Sequence, residues 1–382
     1  MIPKETEGLL PMNSEDLQAI IALRHTLHRH PELSLKEHDT MARLRDFIRQ
    51  RTALMVVERD GWFFAVKQGR NPALSPIAFR ADTDALPMDE GIDLPYGSVC
   101  EGVAHKCGHD GHSAALCGLA LALERLAPER TVYLIFQGAE EIGQGAQRCA
   151  SLLREAGIRE IYAFHNLGGY PEGTVVYRRG LTQPASEGLT IALQGRRSHA
   201  SAPESGVNPA EAIARLTLFS QELAKRPHKG MVLCTVTGIR VGTGDFGISA
   251  GDGELRLTLR AEREAEMQAM ENELLQYAAQ LAREKGMTMT HQISDYFPET
   301  RNHDVCLERV IRAAGELGIP CREMGELWRA SEDFGVYTKV CPGAIYYIGN
   351  GENYPPLHTR EYDFNDRILP VAVDLFTALA LE

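Results

Sequence analysis

At 382 residues and 42.2 kDa the chain has length for two domains, and its 44% apolar content fits neither a disordered tail nor a fibrous repeat. Forty Lys and Arg against 52 Asp and Glu give a formal charge of -12, which speaks against nucleic acid or an anionic membrane as a partner. The longest strongly apolar run without a charge, 113–123, is far shorter than the roughly 20 residues of a membrane span. The N-terminal stretch MIPKETEGLLPMNSEDLQ has no apolar h-region, so a cytoplasmic location is expected, and eight singly scattered cysteines read as reduced thiols.

Leu17, Ile20, Ile21, Leu23 and Leu27 recur at helical spacing over 17–29, and His30-Pro31 ends the pattern. A second helix is expected over 36–51. Strand-type runs follow at 62–67, 77–80 and 131–137, with a helical stretch at 113–126. This alternation predicts an α/β layer with a mostly parallel sheet flanked by helices. From about residue 186 the texture changes to alternating strands at 189–194, 232–241 and 254–260, with helices at 209–225 and 264–285 between them. After residue 296 the α/β texture resumes, with helices at 305–317 and 369–381 and a strand at 344–348. The expected organisation is a discontinuous domain, 1–185 with 297–382, interrupted by an α+β insertion over 186–296.

The densest chemistry lies in His105-Lys-Cys107-Gly-His109-Asp110-Gly-His112, directly before an apolar helix. Three His, a Cys and an Asp within eight residues form a metal-ligand composition, and a helix N-terminus favours a thiolate. A second element, Phe136-Gln-Gly-Ala-Glu140-Glu141, follows the run at 131–137. Adjacent carboxylates at the end of a parallel strand sit where open α/β sheets bind ligands: one would coordinate a cation and its neighbour carry protons. His165 ends the short apolar run Ala163-Phe164-His165-Asn166, and His358 stands in Pro355-Pro-Leu-His358-Thr. Together Cys107, His109, Glu141, His165 and His358 suffice for two divalent ions if one ligand bridges.

The whole chain resembles the M20 metallopeptidase and amidohydrolase family, in its aminoacylase, hippurate hydrolase and auxin-conjugate hydrolase branch. The resemblance rests on LRHTLHRHPELS, FRADTDALPM, HKCGHDGHSA, FQGAEEIGQGA, FHNLGGYPEGTV, SHASAPESGVNPAEAI, SEDFGVY and PPLHTREYDF, in that order. It implies Cys107, His109, Glu141, His165 and His358 as metal ligands, with Cys107 as the bridge and Glu140 as general base. It also implies a lid across 186–296 through which homodimers form, with the run 254–260 and the helix from Pro209 expected to supply the pairing edge and face. Asp82 and Asp84 are expected behind the ligands, Asp84 orienting a ligand His, although packing or turn formation would account for both equally. His199 resembles the family histidine that polarises the scissile carbonyl.

One stretch departs from the pattern. The branch usually reads G-x-A-x-N-V-I-P, whereas residues 242–250 here read GTGDFGISA, so Gly247 stands where a substrate-touching Asn is expected. The same stretch spells GxGxxG with Gly242, Gly244 and Gly247. The alternating ELRLTLR that follows is not a helix, so a dinucleotide site is not expected.

The resulting expectation is a metal-dependent amidohydrolase, with Zn the first choice and Mn, Co or Ni as alternatives, acting on N-acyl amino acids or related small conjugates. A dipeptidase or aminopeptidase on the same scaffold is the alternative, and a non-catalytic metal-binding dimer a third reading.

Overall fold

α1 (Ser14–Arg29) starts where the Asn13 side chain accepts from the Asp16 N–H at 2.8 Å, and it buries Ile20, Leu23 and Leu27 on one face. The structure, a computed structural model, describes residues 12–382; most of the N-terminal stretch that lacks an h-region lies outside the described residues. α2 (His38–Arg51), β1 (Met55–Arg59), β2 (Trp62–Lys67) and β3 (Ile77–Asp82) follow. α3 (His109–Arg125) begins four residues before the expected helix, so His109 and His112 lie in its first turn. Polar His, Asp and Gly residues hide that turn from an apolar periodicity. Then come β4 (Val132–Gln137), α4 (Gly145–Cys149), α5 (Ser151–Glu155), β5 (Glu160–Gly168), β6 (Val175–Tyr177) and β7 (Leu181–Gln183).

The intervening segment contains β8 (Ala185–Gln194), β9 (Ser198–His199), α6 (Ala210–Lys225), β10 (Val232–Val241), β11 (Ile248–Ser249), β12 (Asp252–Ala261), α7 (Glu264–Lys285) and β13 (Thr288–Phe297). The chain returns through β14 (Thr300–Arg301), α8 (Asp304–Glu316), β15 (Cys321–Glu323), α9 (Gly335–Thr338), β16 (Gly343–Gly351) and α10 (Leu369–Leu381). Two compact units result. The first runs to Thr182 and adds Thr300–Leu327 and Asp333–Glu382; the second is Gln183–Glu299 with Trp328–Glu332.

The first unit is built on an eight-stranded sheet, order β1-β2-β4-β3-β5-β16-β6-β15. Its centre, β4-β3-β5-β16, is parallel, with antiparallel pairs nearer both edges. α3 is buried nearly all round, because α1 and α10 cover it on a sheet face whose core includes Phe79, Leu116, Leu123, Phe164 and Phe376. Trp62, Ile135, Leu153, Phe334 and Ile345 fill the opposite face. All eight cysteines are free. No helix among the described residues is long and apolar enough to cross a membrane.

The second unit is a four-stranded antiparallel sheet, order β10-β12-β8-β13, with α6 and α7 packed on one face through Leu216, Leu223, Met267 and Leu274. The run 254–260, expected to be a pairing edge, lies inside β12, which is hydrogen-bonded by β10 on one side and β8 on the other. Alternating burial marks a strand with one covered face, whether central or peripheral, so the pattern is blind to the edge. The edges are β10 and β13. β13 carries a single buried residue, Phe297, and so gives no apolar alternation to read.

A buried ion cluster ties α1 to α3. Arg24 donates to Asp363 at 2.8 Å and Asp366 at 2.8 Å and reaches Asp110 at 3.4 Å; His28 lies 2.9 Å from Asp110 and 2.9 Å from Glu90. Burial opposes charge on His28, yet Asp110 and Glu90 outweigh it and push the imidazole up to about 9. A raised folded-state pKa means that this stabilisation is complete below the ordinary value of 6.5 and is lost as pH rises through about 9. Melting temperature should therefore fall between pH 7 and 9.5, and His28→Gln should have a lower melting temperature at pH 7 with a flatter dependence. A variant with the parent's slope would show that another group titrates.

Candidate metal centre

The candidate residues gather where the parallel strands end and α3 begins. Asp82 closes β3, and Glu140 and Glu141 follow β4. His165 is in β5, and His358 lies in the loop after β16. Cys107 and His109 flank Gly108, the residue that opens α3. This is the carboxyl edge of an open α/β sheet, where strand ends splay and loops converge. A backbone bond from the His358 N–H to the Lys106 carbonyl, 2.8 Å, joins the two loops.

Cys107 Sγ lies 3.4 Å from His165 Nε2 and 3.3 Å from His358 Nε2. Glu141 reaches His109 Nε2 at 3.7 Å and His358 Nε2 at 3.6 Å. Two donor groups, Cys107 with His109 and His165, and Cys107 with Glu141 and His358, each have ligand atoms within 4.8 Å of one another, and Cys107 belongs to both. Glu140 joins His109 and Glu141 in a third such group, and its Oε1 accepts from the Asp333 N–H at 3.2 Å.

The ring nitrogens are pre-set. His109 Nδ1–H donates to the Asp84 carbonyl at 2.9 Å, with the Asp84 carboxylate 3.3 Å away, while its Nε2 is buried without a hydrogen-bond partner. His165 Nδ1–H donates to the Asn166 carbonyl at 2.8 Å, leaving Nε2 toward Cys107. Glu141 Oε1 is likewise buried without a hydrogen-bond partner. Leaving a buried polar atom unpaired costs about 1–3 kcal/mol, so two at one spot call for a group that both can face.

Electrostatics points the same way. Burial, then Glu141, push the Cys107 thiol well above its usual range. Burial also dominates Glu141, and with Asp84 it outweighs His109 and pushes the carboxyl up to about 7. Against its own burial, Asp82, Cys107 and Asp84 hold His109 well above the ordinary imidazole value. Burial and His112 hold His165 well below it. A thiol, a carboxyl and imidazoles whose charges are costly together would become compatible around a divalent cation, which their lone pairs could share in place of protons. The donor set therefore fits metal.

The surrounding residues are more numerous than the sequence indicated. Despite burial, His109, His112 and Arg80 hold Asp82 well below the carboxylate range. His112 spans Asp82 at 2.6 Å and Asn166 Oδ1 at 2.7 Å, and Asn166 Nδ2 donates to Tyr362 OH at 2.6 Å. Arg80 bonds Asp82 at 2.7 Å, Asp333 at 2.7 Å and Gln137 at 2.9 Å. Asp84 accepts from the Glu141 N–H at 3.0 Å and Ser34 Oγ at 2.6 Å. His112, Asn166, Arg80 and Asp333 all stand in the matching stretches, but no local spacing showed which partners they would find.

His199 belongs to the second unit, where it is exposed on β9 and pairs with Ile248 of β11, in the stretch 242–250. A Cβ on Gly247 would meet nothing within 4 Å, so packing does not impose glycine where the Asn was expected. The GxGxxG spelling falls in the β10–β12 connection and opens no helix.

The model of peptidase family M20/M25/M40 matches residues 78–382. The chain belongs to peptidase family M20. An N-acetylcysteine deacetylase of Bacillus subtilis is 29% identical over 369 residues, 95% of this M20 chain and 96% of that protein. A hippurate hydrolase of Campylobacter jejuni is 28% identical over 376 residues, 94% of this chain and 95% of that protein. A solved Bacillus subtilis structure, described as a dinuclear metal-binding peptidase of the M20 family, is 26% identical, covers 97% of this chain and 98% of that one, and has a TM-score of 0.80. This M20 chain is a hydrolase of amide or peptide bonds.

Gly108 is held at φ 103°, and a Cβ there would lie 2.1 Å from Asn166 Oδ1 and 2.8 Å from Tyr362 OH. Gly108→Ala should therefore cost about 2 kcal/mol or more in stability and lower metal content at saturating Zn. Calorimetry with elemental analysis checks both; an unchanged melt with full metal would show that Asn166 and Tyr362 give way freely.

Proposed function

We propose that this M20 enzyme hydrolyses the amide bond of N-acyl amino acids or related small conjugates. The observation that carries the reading is the sharing of Cys107 between two donor groups, with Glu140 beside them. Cys107, His109, Glu141, His165 and His358 would hold two divalent ions with Cys107 common to both; the thiolate, imidazole and carboxylate mixture suits Zn, with Mn, Co or Ni as candidates. When bound, the ions would polarise the scissile carbonyl and acidify a water.

Glu140 takes the proton of that water and returns it to the departing amine nitrogen, one carboxylate serving both transfers. The Asp333 N–H on Oε1 fixes the carboxylate's orientation. His109 is aimed by Asp84, and Asp82 with His112 supports the same wall through Asn166. His199 is assigned the stabilisation of the developing oxyanion. Names of the relatives support small N-acyl substrates, one an N-acetylcysteine deacetylase and one a hippurate hydrolase. If Gly247 stands in for a substrate-touching amide side chain, a hydrogen-bonding group to substrate is lost, so the best substrate should differ from simple N-acetylglycine or N-benzoylglycine.

The second unit is assigned as lid and dimerisation domain. Pairing would use the β10 edge and the apolar hollow formed by Leu218, Ile239 and Val241, Leu218 and Ile239 being large exposed hydrophobics. A cytoplasmic home agrees with eight free thiols.

A panel of N-acetyl and N-benzoyl amino acids and dipeptides tests the substrate class; turnover confined to dipeptides would move the enzyme to the dipeptidases. Two ions per chain are expected by elemental analysis, Cys107→Ala lowering occupancy at both positions and His358→Ala mainly at one. Equal losses in the two variants would remove Cys107 as the shared ligand. Glu140→Gln should lower kcat at least about a hundredfold with metal retained, whereas Glu141→Ala should lose metal and activity together. Near-normal turnover of Glu140→Gln would send the search for the base elsewhere.

A further inference from the structure

Glu140 and Glu141 point into the site from a turn that the chain adopts at a cost. Ala139, directly before them, has a φ of 55°, in the left-handed region that disfavours residues carrying a Cβ. Its carbonyl accepts from the N–H groups of Gln144, at 3.1 Å, and Gly145, at 3.0 Å, which are part of the turn itself. Its own N–H is held from outside. The Glu37 carboxylate accepts that N–H at 2.7 Å, 102 residues away in sequence. Gly138 makes the approach possible: a Cβ there would lie 2.7 Å from Glu37 Oε1 and 3.0 Å from its carboxyl carbon.

Glu37 is buried at 5% exposure, an unusual place for a carboxylate that contacts none of the candidate metal donors. Its segment is itself anchored. Glu32 accepts from the Thr40 N–H at 2.7 Å, the Ala85 N–H donates to the Glu32 carbonyl at 2.8 Å, and Ser34 donates to Asp84, which in turn accepts from the Glu141 N–H. Residues 32–37 thus reach the two-glutamate turn twice, through Asp84 to Glu141 and through Glu37 to Ala139.

We infer that Glu37 is a positioning residue: by accepting the Ala139 N–H it holds the left-handed turn that presents Glu140 to the reacting water. Without the acceptor, Ala139 relaxes toward negative φ, the peptide preceding Glu140 rotates, and the carboxylate leaves the position set by the Asp333 N–H. Glu141 keeps its separate tether to Asp84, so metal binding suffers less than turnover. The inference rests on Glu140 being the general base.

The test uses Glu37→Ala, Glu37→Gln and Glu37→Ala combined with Ala139→Gly, each as full-length Zn-loaded protein on the panel substrate with the highest kcat/KM. Glu37→Ala should lower kcat at least about tenfold with KM within about twofold and metal content near that of the parent. Glu37→Gln, which keeps an acceptor oxygen, should recover most of the loss, and Ala139→Gly should recover part of it because glycine takes positive φ without strain. Amide hydrogen exchange of the metal-free protein gives a reading independent of turnover: protection across 138–145 should fall in Glu37→Ala while α2 stays protected.

Unchanged kcat or unchanged protection of 138–145 in Glu37→Ala overturns the inference, as does a loss that neither Gln nor Ala139→Gly relieves. If Glu37→Ala does not fold, Glu37→Gln and the double variant still decide between these outcomes. Glu140→Gln separates the two levels. Full activity of Glu140→Gln defeats the base assignment, whereas an inactive Glu140→Gln beside a fully active Glu37→Ala defeats only the role given to Glu37.

Discussion

A thiol, several imidazoles and the four carboxyl groups of Asp82, Asp84, Glu140 and Glu141 crowd one largely buried spot, and without a cation their charges cannot all be present together. Cys107 is held protonated by burial and Glu141, and Glu141 itself is pushed up to about 7 while Asp84 beside it stays anionic. A divalent ion held by these candidate donors would relieve each of these penalties at once, because the same lone pairs would face positive charge. Much of the surrounding architecture serves to keep them aimed at one another in its absence. That is why the walls of the site are rings held on their far nitrogens and backbone fixed by buried carboxylates.

The scaffold divides the work between two faces of one sheet edge. On the α3 side, His112, Asn166 and Tyr362 form a chain of hydrogen bonds packed directly onto Gly108, so the backbone at the helix start cannot shift without moving β5. Across the edge, Arg80, Gln137 and Asp333 lock the end of β4 to the segment that touches Glu140. Both groups are almost wholly buried, where satisfied polar networks are rigid and partial ones are costly.

Local chemistry made the candidate donor types legible. The density of His and Cys ahead of α3, the paired glutamates after a strand and the histidine ending an apolar run each announce themselves within a few residues. Order of the matching stretches then supplied the grouping that spacing alone left open. What stayed hidden depends on distant partners: Asp333 meets Arg80 across more than 250 residues, and Glu37 meets Ala139 across 102. The turn at Ala139 also escaped, since alanine carries none of the composition signals that mark a left-handed residue. In the second unit, strand periodicity found β10 and most of β12 yet not which of them lay at the margin, because pairing partners are not encoded in one strand's alternation.

β5 and β16 are neighbours in the sheet, with His165 opposite Tyr347, yet the whole second unit is spelled out between them. During synthesis the growing chain leaves the ribosome with β5 already present and one flank of it unfilled, and that flank stays open until the final stretch of polypeptide has emerged. His358 arrives later still. The candidate metal centre is therefore completed late, after a long-range closure that is slow by topology, and an ion would find all five candidate donors only near the end of synthesis. A ribosome stalled between residues 169 and 342 would hold a chain with four of the five candidate donors and no β16, leaving one edge of β5 bare to its neighbours.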